Sequence, residues 1–233
     1  MKRLGPRRWW VLALVLVGTG GTVGFAASLP VSSKSLSVPR TCVLTGSSST
    51  STSDIDTTVK EDSSTGNFGT ATTMDVQTRS PGRDHRLYVK FDLTKCSPSI
   101  PSSATVRLAR LRLYVSTLPA SCRTYDVFKV ASSWAEGTIT WNNQPFGTTD
   151  NNPPGSQASA TATVGPTPCG VTSAGYMTWT VTSDVQSFAS GSSSNFGWMI
   201  RDDVELASAN QGVFSTKELG TLSQSPQLVV TYS

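Results

Sequence analysis

Apolar and polar positions alternate strictly through Arg86-Leu87-Tyr88-Val89-Lys90-Phe91-Asp92-Leu93, with Leu87, Val89, Phe91 and Leu93 in one phase and Arg86, Tyr88, Lys90 and Asp92 in the other. Successive side chains of an extended strand point to opposite faces, so this period of two predicts a strand with one buried and one wet face. Arg110-Leu111-Arg112-Leu113-Tyr114-Val115 repeats the pattern. Shorter segments rich in Val, Thr and aromatic residues, at 125–130, 178–182, 196–201, 213–216 and 227–232, predict further strands. Turn clusters such as Ser80-Pro81-Gly82, Ser97-Pro98 and Asn152-Pro153-Pro154-Gly155 separate them. Only Ser183 to Ala189 has a helical period: Val185 and Phe188 share a side, and Ser183 with Gln186 has the spacing of a capping box. Residues 146–175 carry the least pattern and are expected to form a long excursion tied down by Cys169. Many short antiparallel strands with one small helix predict an all-β fold, a two-sheet antiparallel sandwich.

The first 27 residues obey a different logic. A basic start is followed by an apolar run from Trp9 to Val17 and by small residues up to Ala26. This is the three-part layout of a secretory signal peptide, with cleavage expected after Ala26. The apolar run is well short of the roughly 20 residues that a membrane-spanning helix needs. The chain is therefore expected to divide into a signal peptide at 1–26, a Ser/Thr-rich leader or linker at 27–53 and one domain at 54–233. The mature product is expected to be extracellular, with no membrane contact after cleavage.

This division changes the meaning of the charge. The chain carries 19 Lys+Arg and 15 Asp+Glu, a formal net charge of +4. Lys2, Arg3, Arg7 and Arg8 account for the whole excess, leaving 15 basic and 15 acidic residues beyond them. A nucleic-acid partner, which basic charge would suggest, loses its support. Charged residues make up only 15% of the chain, whereas Ser and Thr occupy 35 and 31 positions, so hydroxyls supply most of the polarity.

Four widely spaced cysteines, Cys42, Cys96, Cys122 and Cys169, in an exported chain read as two disulfides rather than a zinc site. Cys42 and Cys169 precede predicted strands and Cys96 and Cys122 follow them, and antiparallel neighbours bring a start beside an end. That favours Cys42 with Cys96 and Cys122 with Cys169, or the crossed alternative, over pairing like with like.

Catalytic chemistry finds little material. His85 is the single histidine, expected in an exposed loop before the first clear strand, and no Gly-x-Ser-x-Gly elbow accompanies it. One histidine without a close carboxylate pair leaves too few ligands for a catalytic zinc. The carboxylates are scattered, so no glycosidase pair stands out. No catalytic residue and no cofactor are expected; a structural calcium ion suits the Asp, Asn and loop carbonyls, although no EF-hand spacing is present. The polar phases of the two clear strands offer a binding face instead. Arg86, Tyr88 and Lys90 from one strand, with Arg112 and Tyr114 from the other, would join two phenol rings to three cations if the strands shared a sheet. Rings stack on the apolar faces of sugars, and Arg or Lys pairs with carboxylate or sulfate. The expected partner is accordingly a polysaccharide, acidic ones included.

Several segments, in order, carry a family resemblance. They include Asp56-Thr57-Thr58-Val59, Asn67-Phe68-Gly69, Arg86 to Leu93 and Ala109 to Tyr114. They continue with Trp134-Ala135-Glu136-Gly137-Thr138-Ile139-Thr140-Trp141-Asn142-Asn143-Gln144-Pro145, Asn195-Phe196-Gly197-Trp198, Phe214 to Glu218 and Pro226 to Tyr232. The chain from about 54 to 233 thereby resembles the DNRLRE domain, which is similar to the family 96 carbohydrate-binding modules. The segment from Trp134 to Pro145 is the most specific part of the match. The resemblance implies a β-jelly-roll sandwich in an exported protein and a non-catalytic module, with alginate-type ligands for some members. Trp134 and Trp141 are expected to pack at the rim of the sandwich, and Glu136 to accept backbone N–H groups in a turn. Two other readings stay open: a structural or adhesive domain of the cell envelope without a sugar ligand, and a small polysaccharide lyase or hydrolase.

Overall fold

The structure, a computed structural model, describes residues 38–46 and 54–233; the expected signal peptide and its cleavage site lie outside these residues. Eleven strands are arranged in chain order: β1 (Arg40–Thr45), β2 (Ile55–Lys60), β3 (Thr73–Thr78), β4 (His85–Lys90), β5 (Val106–Thr117), β6 (Arg123–Lys129), β7 (Ala160–Val164), β8 (Gly175–Thr180), β9 (Trp198–Asp202), β10 (Asn210–Ser215) and β11 (Gln227–Tyr232). One helix, α1 (Thr182–Ala189), comes after β8. All pairings between these strands are antiparallel, so the all-β expectation holds.

Two runs of paired strands are joined through β10 and β3. The first is β1-β11-β5-β8 and the second is β2-β4-β9-β6-β7. A single core takes side chains from both: Leu111 and Leu113 of β5, Leu228 and Val230 of β11 and Met177 and Trp179 of β8, with Leu87 and Val89 of β4 and Trp198 and Ile200 of β9. These are the apolar phases that the alternating sequence provides. Helix α1 adds Val185 and Phe188 to the same core. The expected capping box does not form. The N-cap position is Val181, and Gln186 turns to β5 instead, where it accepts from the Val106 N–H and donates to the Ala104 carbonyl.

Strand β1 corrects the expected leader. Residues 40–45 pair along their full length with β11, and Cys42 and Leu44 enter the core, so this part of the Ser/Thr-rich stretch is an edge strand. The disulfides are Cys42–Cys96 and Cys122–Cys169, with Cα atoms 5.4 and 5.6 Å apart. The first ties the edge strand to the segment after β4. Closing a loop of this size stabilises the fold by about 4 kcal/mol on the chain-entropy account.

The two runs differ on their outer faces. The face of β2-β4-β9-β6 carries a second apolar cluster of Val59, Tyr88, Phe128 and Met199, roofed by Ile139 and Trp141, with Trp134 and Phe146 packed against it. The roof is the Trp134–Pro145 segment together with the stretch of chain just beyond it. Trp134 meets Tyr88 edge-on at 5.4 Å and donates from Nε1 to the Phe196 carbonyl. Both tryptophans thus lie across the sheet face rather than at its rim.

Two buried arginines on that face hold the rest of the roof. Arg86 stacks 4.6 Å from the Trp141 ring, pairs with Glu205 through Nε at 2.7 Å and Nη2 at 2.8 Å, and donates to the Gly147 and Thr149 carbonyls. Arg201 donates to the carbonyls of Pro153 and Asp203. A loop that lacks secondary structure must still satisfy its buried carbonyls, and these guanidinium groups do so. The unpatterned stretch is thereby ordered well before Cys169, and its second half contributes β7, paired with β6.

Two Asn-Phe-Gly segments fasten the ends of this face in the same way. Asn67 donates to the Glu136 and Ile139 carbonyls while its own carbonyl accepts from Gly69. Asn195 donates to the Phe91 carbonyl and accepts from Gly197. Gly197 has φ +74°, and a Cβ there would lie 2.2 Å from the Val89 carbonyl oxygen, so only glycine fits.

Removing one partner of a buried ion pair strands the other charge, at a cost of about 3–5 kcal/mol. Glu205→Ala is therefore expected to destabilise the domain by that order in urea unfolding, whereas Arg110→Ala, on an exposed position of β5, should change it by less than about 0.5 kcal/mol.

Candidate functional site

The five residues expected to form one binding face do not come together. Arg86 and Tyr88 are both 0% exposed, which corrects their expected outward position. Alternation in β4 implies one wet face, but the strand lies between β2 and β9 with cover on both sides, so the polar phase points into the second cluster. There Arg86 is neutralised by Glu205, and the Tyr88 hydroxyl donates to Gln144 Oε1 at 3.0 Å. Lys90, at the end of β4, is half-buried and lines an open cavity of about 450 Å³ with Asp92, Thr94, Phe188 and Asn195.

Arg112 and Tyr114 sit in the outward phase of β5 and are half-buried. Register places Thr178 of β8 and Gln227 of β11 on either side of Arg112, and Tyr176 opposite Tyr114. The side chains interlock: Arg112 donates from Nη1 to Gln227 Oε1 at 2.7 Å, and its Cζ lies 4.2 Å from the centre of the Tyr176 ring. Tyr176 meets Tyr114 edge-on at 5.6 Å and anchors its hydroxyl on the Ser225 carbonyl. A cation held against a ring and a neighbouring amide is preorganised, since its rotamer is fixed before any ligand arrives. Exposed Arg110, Thr178 and Thr180 extend the same face, and partly buried Val229 and exposed Val43 add an apolar strip across β11 and β1. Tyr176 and Gln227 are not among the residues expected from sequence. Tyr176 lies two residues before the expected start of its strand, in the same phase as Thr178 and Thr180, so extending the period of two would find it.

His85 is also relocated. It opens β4 and is only 5% exposed, rather than standing in an exposed loop. Nδ1 engages Asp75 and Nε2 lies 3.1 Å from Asp62 Oδ1. With both ring nitrogens committed to carboxylates, the imidazole has none left to activate a nucleophile. Burial alone would raise the Asp75 carboxyl, but the hydrogen bonds from His85 and Lys60 outweigh it and hold its pKa at about 2.

Two groups of carboxylates could hold a cation. Asp56, Glu136 and Glu218 each place one oxygen within 4.8 Å of the others, and so do Glu61, Asp84 and Asp150. In the first group Glu136 Oε1 accepts from the backbone N–H of Asp56 at 2.9 Å and from Lys217 Nζ at 2.6 Å. Glu136 therefore does accept a backbone N–H, as expected, but from β2 rather than within its own turn. Lys217 is buried, also pairs with Glu218, and donates its backbone N–H to Asp56 Oδ2 at 3.1 Å. Burial, reinforced by the nearby Glu218 charge, pushes the Asp56 carboxyl up to about 8 against the pull of Lys217.

The folded protein thus keeps a proton on Asp56 that the unfolded chain releases above about pH 4. The stability associated with that proton is fully present below the unfolded value and declines as pH rises through about 8. In metal-free buffer, Asp56→Asn should therefore gain stability relative to the parent as pH is raised from 5 to 9 (roughly the span of the shift), measured as the difference in melting temperature. A constant difference across that range would contradict the assignment.

Carbohydrate-binding module family 96 matches over residues 47–232, which is nearly all of the described chain. No curated protein matches. Among the described residues, no helix is long and apolar enough to cross a membrane.

Proposed function

The chain belongs to carbohydrate-binding module family 96, and from that premise we propose that it binds an extracellular polysaccharide, acidic ones included, without turning it over. The open face of β5, β8 and β11 is the site. The observation that carries this reading is the Arg112–Tyr176–Tyr114 cluster with Gln227: two rings for the apolar faces of sugars, one fixed guanidinium for a carboxylate or sulfate, and an amide for hydroxyls. Lys90, on a different strand, supplies a separate cation beside its own cavity. The two runs of strands are the two sheets of a jelly roll, one face of which is roofed and the other free for ligand. An exported location agrees with the two disulfides, which persist in oxidising compartments. The non-catalytic character agrees with a histidine locked between carboxylates.

Affinity electrophoresis against a polyuronate and a neutral glucan tests this reading. The polyuronate should retard the protein, less so as salt rises, because the charge contribution is screened. Arg112→Ala and Tyr176→Ala should each weaken binding about tenfold, the equivalent of roughly 1.4 kcal/mol. Lys90→Ala should have a smaller effect. If no glycan retards the parent protein, the domain is structural or adhesive instead; if binding survives both substitutions, the ligand lies elsewhere on the surface. Release of unsaturated or reducing-end products would show a lyase or hydrolase.

A further inference from the structure

The Asp56 cluster has more negative charge than its surroundings neutralise. Three carboxylates, Asp56, Glu136 and Glu218, face a single ammonium, Lys217. Their side chains are largely withdrawn from water: Asp56 is 2% exposed, and the Glu218, Glu136 and Lys217 side chains are 7%, 18% and 1% exposed. Buried charges need a partner, since desolvation is otherwise uncompensated. Lys217 spends its ammonium on Oε1 of both glutamates and reaches Asp56 only through its backbone N–H. Asp56 Oδ1 and Glu218 Oε2 are left buried without a hydrogen-bond partner.

We propose that Asp56, Glu136 and Glu218 form a calcium site that fastens the roof over the β2-β4-β9-β6 face to strand β2 and to the turn at Lys217–Leu219. Asp56 belongs to β2, Glu136 to the roof and Glu218 to the turn after β10, so a single ion would join all three elements. Calcium takes hard oxygen ligands at about 2.3–2.6 Å, so two ligands across one ion stand roughly 5 Å apart, whereas magnesium wants about 4 Å and near-ideal octahedral geometry. One oxygen from each carboxylate lies within 4.8 Å of the others, close enough for one ion to bridge all three, and calcium's tolerance of irregular geometry suits ligands drawn from three separate elements. Binding the ion displaces the proton that Asp56 holds in its absence; the ion's two positive charges then balance the two negative charges that Lys217 leaves uncompensated, and the two orphaned oxygens are available as ligands. Glu136 is the most exposed of the three, which leaves a side for water to complete the shell. The second acidic group is a weaker candidate, because it has one buried oxygen without a partner, Asp150 Oδ1, against two in the first, and both oxygens of Asp84 already accept from backbone N–H groups.

The test uses the full chain, stripped with EDTA and dialysed, with calcium binding measured by equilibrium dialysis and stability by thermal melting at neutral pH. Millimolar CaCl2 should load one ion per chain and raise the melting temperature by several degrees, and millimolar MgCl2 should not. Asp56→Asn keeps the shape of the side chain and an acceptor for the Lys217 N–H, so it should fold and lose both responses. Glu218→Gln provides an independent loss, and Asp150→Asn should retain both responses. The proposal is overturned if the parent binds no calcium or gains no stability. It is equally overturned if Asp56→Asn and Glu218→Gln respond like the parent, or if Asp150→Asn alone abolishes the response.

Discussion

A guanidinium withdrawn from water must find a carboxylate and enough carbonyls to occupy its remaining donors, and the arrangement of this domain depends on how that demand is met at Arg86. Glu205 supplies the charge, Trp141 the stacking surface, and the Gly147 and Thr149 carbonyls the remaining acceptors. The carboxylate and the roof come from distant parts of the chain. Arg201 has no carboxylate within ion-pair distance among the described residues, but it lies over the Phe128 ring and likewise donates to carbonyls, those of Pro153 and Asp203. A segment with no periodicity of its own is thus given a defined path by two side chains of the sheet beneath it.

This covering divides the labour between the two faces. The β2-β4-β9-β6 face is covered by the roof, and its buried arginines and Tyr88 hydroxyl are consumed in holding the roof down. The β1-β11-β5-β8 face carries no such layer among the described residues, so its cation and its rings remain partly in solvent while being fixed by one another. Arg112 shows the contrast with Arg86. Both are arginines in the polar phase of an alternating strand, but one is satisfied inside the protein by a carboxylate and the other by an amide and a ring. The second arginine keeps its charge available.

Much of the fold was legible from local pattern. β11 matches its expected bounds, the other expected strands are recovered within a few residues, and the two residues on the apolar side of α1 point inward as their spacing requires. Strands β1, β2, β3 and β7 were harder to see: β1 and β2 do not alternate cleanly, and β3 and β7 alternate only over five residues with few large apolar side chains. β2 is buried on both faces, so Asp56, Thr57 and Thr58 interrupt its apolar pattern while being buried themselves; β1 and β7 are edge strands rich in Thr or Ala. The candidate site was half legible: Arg112 and Tyr114 could be placed outward by phase, whereas Tyr176 and Gln227 join them only because β8 and β11 flank β5.

The strand class, the apolar phase that forms the main core, the even cysteine count and the family segments are all local properties, set by residue type and short-range spacing. Which face of a strand meets water depends on what packs over it, and that is a long-range matter. Tertiary structure alone decided that the polar phase of β4 is buried beneath a loop remote in sequence but adjacent in space, that His85 stands between two carboxylates, and that β1 belongs to the sheet. Alternation reports two faces; only the packed chain chooses which of them stays open.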